Sequence, residues 1–116
     1  MQELIVLKKV EQLFYKVYPT LVNYPKAEKY ALCVQIKQAF FDTITYISLG
    51  AKVKSKRKTY LQEADAHIQV IKILMKLSKE RRYISNGFFA YTDECITEIE
   101  KMLSGFIRSI ARDGLE

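Results

Sequence analysis

Histidine occurs once, at position 67, tryptophan is missing, and glycine, proline and cysteine are held to four, two and two residues in a chain of 116. Each shortage closes a class of function. His67 lies on an apolar flank with no cysteine or acidic pair at ligand spacing, so it reads as a packed or interface histidine and not as a zinc ligand. The spacing of helical ribonucleases, an arginine a few residues before a histidine, is also missed, because Arg57 precedes His67 by ten positions. No Gly-rich phosphate loop, Walker pattern or nucleophile elbow occurs. No enzyme activity, metal or other cofactor is expected. Long apolar runs are lacking as well: Leu4-Ile5-Val6 is far short of a membrane span, and Glu3 disturbs any signal-peptide pattern at the start. A cytoplasmic protein without a membrane partner is therefore expected. Cys33 and Cys95 fall on apolar helix faces, which suits buried, reduced thiols better than a disulfide.

What remains is an ordinary globular composition with an uneven charge. Hydrophobic residues make up 49% and charged residues 28%, enough to build a core in one domain over residues 1–116. Lys and Arg total 19 against 13 acids, a formal charge of +6, which favours a polyanionic partner. Apolar residues recur with helical periodicity almost throughout, and no strand-like alternation persists. Four helices are predicted, at about 2–18, 25–52, 55–82 and 86–112. Pro19 should stop the first, while Pro25 suits the first turn of the second, where its missing N–H has no partner to lose. Asn86 and Gly87 supply the last break, with Ser85 as the cap of the fourth helix. Short joints between long helices make the fold class all-α, an antiparallel up-down-up-down four-helix bundle.

Placing residues at 100° per step separates the faces. Val6, Val10, Leu13 and Val17 form the core stripe of the first helix. Leu32, Ile36, Phe40, Thr43 and Ile47 do so in the second, Leu61, Ala64, Ile68, Ile71 and Met75 in the third, and Phe88, Cys95, Ile99, Met102 and Phe106 in the fourth. The polar wedge of the third helix (Lys58, Gln62, Asp65, Gln69, Lys72, Lys76 and Lys79) covers only about a third of its circumference. Tyr60, His67, Val70, Ile73, Leu74 and Leu77 flank the core stripe as apolar surface beyond what one bundle core needs, and a homo-oligomer is expected. Most of the eight tyrosines read as rim-of-core residues whose hydroxyls reach water, with stacking on bases as the alternative.

The cations are segregated. Five of the seven residues from Lys52 to Lys58 are basic: Lys52, Lys54, Lys56, Arg57 and Lys58. Like charges so close together repel, and a surface built for solubility mixes its signs, so a bound phosphate backbone explains the joint better. Lys72, Lys76 and Lys79 on the third helix and Arg108 and Arg112 on the fourth extend the candidate nucleic-acid surface. Arg108 and Arg112, with Lys101, also complement the dipole at a helix end without any ligand.

The residues then take on a family likeness. "YPKAEKYALCVQIKQAFFD" at 24–42 resembles the start of the second helix in the accessory variability determinant (Avd) proteins of diversity-generating retroelements. "LQEADAHIQVIKILMKLSKERRYIS" at 61–85 is similar to their third helix, and "IEKMLSGFIRS" at 99–109 to their closing pattern of a glycine and an aromatic residue before a basic position. Phe106 departs from the common Trp, and Ser104 from a frequent second Gly. The intervening-sequence proteins encoded within large-subunit ribosomal RNA share the opening and the bundle, but "ITYISLGAK" is bulkier than their small-residue segment. The resemblance implies a ring-like homopentamer that binds template RNA and cDNA and associates with a reverse transcriptase as a non-enzymatic partner. The alternative is an intervening-sequence-type bundle acting as a protein-interaction or structural module, its positive patch meeting an acidic protein surface.

Overall fold

In the computed structural model, which describes residues 2–113, the first helix stops where Pro19 requires it. Helix α1 spans Gln2–Val17, and the chain continues as a 3-10 turn, Tyr18–Asn23, with the proline in its first positions. Helices α2 (Leu32–Lys52), α3 (Arg57–Glu80) and α4 (Asn86–Asp113) follow, and among the described residues there is no strand. Neighbours in space are α1 with α2, α2 with α3, α3 with α4, and α4 with α1. Cross-helix contacts fix the directions: Arg57 meets Gly50 while His67 meets Asp42, and Lys72 meets Glu100 while Lys79 meets Phe89. Both pairs run antiparallel, giving the all-α up-down-up-down bundle, 48 Å long and 25 by 19 Å across.

The second helix begins seven residues later than Pro25 suggests, at Leu32 instead of 25. Pro25 is extended, with ψ 149°, and precedes a 3-10 turn, Lys26–Glu28, while Ala31 at φ −123° and ψ −97° interrupts the helical path. Helix propensity in Lys-Ala-Glu-Lys is worth only tenths of a kcal/mol per residue. Tertiary contacts outweigh it. The detour drops Leu21 and Tyr24 into the core, where the Tyr24 hydroxyl donates to Ser78 Oγ at 2.7 Å. The Tyr83 hydroxyl donates to Glu28 Oε2 at 3.0 Å, and Lys29 Nζ to the Val22 carbonyl at 3.0 Å.

The turn between α3 and α4 also differs from expectation. Asn86 and Gly87 are helical; the left-handed residue is Arg82, at φ 62°. Tyr83 N–H donates to the Ser78 carbonyl at 2.8 Å and Arg82 N–H to that of Lys79 at 2.9 Å, a Schellman closure with an arginine where glycine is usual. Ser85 caps α4 as the sequence indicates, its Oγ accepting from Phe88 N–H at 3.0 Å.

The core stripes read from α1, α2 and α3 are buried residue for residue, and Phe14 stacks on Phe40 with centroids 4.7 Å apart. In α4 the face is turned by roughly 50° at 100° per residue. Thr92, Ile96, Ile99, Leu103 and Ile110 are buried, whereas Phe88, Cys95, Met102 and Phe106 are only half-buried on the rim. Aliphatic side chains fill the narrow centre, and Thr92 enters it because its hydroxyl donates to the Phe89 carbonyl at 2.9 Å. Both cysteines are free thiols, Cys33 buried and Cys95 half-buried.

Candidate nucleic-acid interface

The joint between α2 and α3 is built around one close approach. Gly50 is buried, and a Cβ there would lie 2.9 Å from Leu61 Cδ2, so a larger residue would push the buried Leu61 side chain aside. Lys52 then ends α2, and a 3-10 turn, Lys54–Lys56, leads into Arg57 at the start of α3. Arg57 is turned inward: its Nε donates to the Gly50 carbonyl at 2.7 Å and its Nη2 to that of Ala51 at 2.9 Å. It thus satisfies carbonyls that the end of α2 leaves open, with a cation at the negative end of the dipole.

The other four cations face outward. Lys52, Lys54 and Lys56 are exposed and Lys58 half-buried, and among the described residues none of them has a carboxylate within 4.0 Å. Helix α3 has no acid in its first turn, and its N-cap residue, Lys56, makes no side-chain capping bond. The positive end of the helix dipole lies among these lysines and adds to their field.

Topology decides which other sequence-predicted cations join this cluster. Since Lys72 meets Glu100 and Lys79 meets Phe89, the antiparallel register sets Arg112 level with Lys58 and Arg108 about one turn further along. Arg108 and Arg112 are exposed and belong to the same end of the bundle as the joint. The α3 lysines form a separate strip, with Lys79 about 32 Å from Lys58 at 1.5 Å per residue. Two of them are engaged within the chain: Lys72 Nζ lies 3.3 Å from Glu100 Oε1, and Lys79 Nζ sits 4.9 Å from the centre of the Phe89 ring. Gln69 also donates to Glu100, at 2.5 Å. Glu100 makes this strip mixed in sign, and burial, then the Glu100 charge, push the nearby Asp65 carboxyl above its usual range. Lys76 is exposed.

His67 is packed, as its apolar flank suggests, and its neighbours are the two tyrosines beside the joint. Tyr46 lies between Tyr60, at 6.2 Å, and His67, at 5.3 Å with planes 8° apart. The signal was present in the seven-residue step from Tyr60 to His67, which puts both on one side of α3 facing α2. His67 Nδ1 is 3.7 Å from Asp42 Oδ2, and Gln38 Nε2 donates to the other Asp42 oxygen at 2.8 Å. Among the described residues no three of His, Cys, Asp and Glu are placed to hold a metal ion, and no helix is long and apolar enough to cross a membrane.

A search of curated proteins finds no match to the sequence. The structure is similar to that of a protein of unknown function from the S23 ribosomal protein family of Bacteroides thetaiotaomicron VPI-5482, with a TM-score of 0.80 over 93% of this chain and 99% of that one. Identity is 18%, so the likeness is one of fold. The sequence itself matches the family described as bAvd-like over residues 4–110, from α1 to the last turns of α4. The chain belongs to the bAvd-like family.

Proposed function

We propose that this protein is a non-enzymatic, cytoplasmic accessory subunit of a diversity-generating retroelement, binding template RNA or cDNA through the basic end of the bundle while associating with the reverse transcriptase. Family membership supports an Avd-type accessory role. The observation that favours nucleic acid as the ligand is the outward set Lys52, Lys54, Lys56 and Lys58, which has no carboxylate partner among the described residues and surrounds the start of α3, where Lys56 makes no side-chain capping bond. Arg108 and Arg112, at the same end, widen it. Four lysines in so short a stretch repel one another, and phosphates relieve that repulsion while releasing condensed counterions.

The test is the salt dependence of RNA affinity, measured by fluorescence anisotropy. Each phosphate contact adds roughly −0.7 to −0.9 to the slope of log K against log salt, so replacing Lys52, Lys54, Lys56 and Lys58 with Gln should flatten the slope by about 3 and weaken all sequences alike. Arg57 stays in place, because its loss would open the end of α2. A variant that loses the polymerase yet keeps its RNA affinity would assign the lysines to the protein partner. Unchanged values for both ligands would leave them as solubilising surface.

A further inference from the structure

The lysines of the joint account for phosphates but not for the three rings that begin beside them. Tyr60, Tyr46 and His67 form a ladder along the seam between α2 and α3, and all three are half-buried. Tyr60 follows Arg57 by about one helical turn and Tyr46 precedes Gly50 by about one, so the ladder starts where the Arg57 clamp ends. Its far end is different in charge. Asp42 lies against His67 there, and the exposed Glu63, between Tyr60 and His67 in sequence, adds a second carboxylate on α3. Phosphates are drawn to the lysine end and repelled from the carboxylates, while the rings between carry no charge; Tyr46 already stacks on His67, so Tyr60, at the lysine end, is the ring that a base reaches first.

We propose that the Tyr60–Tyr46–His67 ladder is a stacking platform for unpaired bases, so that the ligand of the joint is single-stranded RNA in preference to duplex. The proposal rests on the joint's role as the phosphate-binding element. Tyr60 follows Lys58 by two residues, so a strand whose backbone follows Lys52 to Lys58 has a ring within reach of its bases. Stacking on a side chain needs a base with a bare face, which a single strand has and the interior of a duplex does not.

The experiment compares a short single-stranded RNA, the same strand with consecutive abasic positions, and its duplex, by anisotropy at one salt concentration. The wild-type protein should bind the intact strand about tenfold more tightly than the abasic strand, the loss expected for one stacked base, and also more tightly than the duplex. Tyr60→Leu should erase that preference, whereas Tyr60→Phe, which keeps the ring, should retain it. Equal affinity of the wild type for all three RNAs overturns the ladder and leaves the joint's phosphate contacts standing. So does a Tyr60→Leu protein that keeps the preference. A wild type that binds none of them overturns the joint as well. The wild-type comparison needs no variant, so a Tyr60→Leu chain that failed to fold would not remove the test.

Discussion

Two glycines in helices show how differently one residue type is used. At Gly50 an added Cβ meets the buried Leu61 side chain at 2.9 and 3.1 Å, whereas at Gly105 it meets nothing within 4 Å. Gly50→Ala should lower stability by about 1–2 kcal/mol, because overpacking outweighs the gain in helix propensity. Gly105→Ala should raise it, by up to about 1 kcal/mol. Urea unfolding of the two variants checks both signs. Tyr24 carries a pH dependence. Burial first, then the neighbouring Cys33, push its phenol above the ordinary 10.0, only partly offset by Ser78. The neutral form is the one the fold favours, so its contribution is complete below about pH 10 and declines as pH rises toward the folded value. Cys33, also raised by burial, works in the same sense from 9.0 upward. Tyr24→Phe should therefore cost about 1 kcal/mol at neutral pH, through the lost hydrogen bond to Ser78, and soften the alkaline decline in a urea series from about pH 8 to about pH 11. At this scale the sequence disclosed the five cations but not that Arg57 faces inward, since which cation reaches the helix end depends on a turn geometry that composition does not encode.

Helix ends were the least legible elements. Repeating apolar positions located all four helices and three of the four core faces, because spacing alone determines what a helix buries. The start of α2 was misplaced because local propensity in Lys26–Lys29 favours a helix while the anchors that oppose it, Tyr24 on Ser78 and Tyr83 on Glu28, are remote in sequence. The α4 face was misread because Thr92 looks polar until its hydroxyl is satisfied by its own helix. Two substitutions probe the α3–α4 turn. Arg82→Gly should stabilise the protein by about 1 kcal/mol, since an L-residue at φ 62° pays a steric penalty that glycine avoids. Ser85→Ala should cost about 1 kcal/mol by removing the cap on Phe88 N–H, and Ser85→Asp should restore it. Thermal melts with paired signs of this kind separate turn strain from capping.

Over the whole molecule, apolar surface is as unevenly placed as charge. Val70, Ile73 and Leu77 on α3 are 42%, 63% and 43% exposed, and Tyr15, Tyr18 and Phe41 on the α1–α2 side are 66%, 50% and 48% exposed. Two separate patches on one chain suit a self-association in which one patch meets the other. The protein should therefore sediment as a homo-oligomer at micromolar concentration, and Ile73→Lys should shift it to the monomer with the helical signal intact. A monomeric wild type by light scattering would count against that expectation. The Arg57 clamp has its own consequence for how the bundle forms. Its partners, Gly50 and Ala51, are only seven and six residues away, so loop closure there is cheap, whereas α1 reaches α4 across most of the chain. The α2–α3 hairpin should form in the folding transition state and α1 should dock afterwards. Arg57→Ala should accordingly slow refolding with little change in the unfolding rate, while Val6→Ala or Val10→Ala should mainly hasten unfolding, a division that stopped-flow chevron plots read directly.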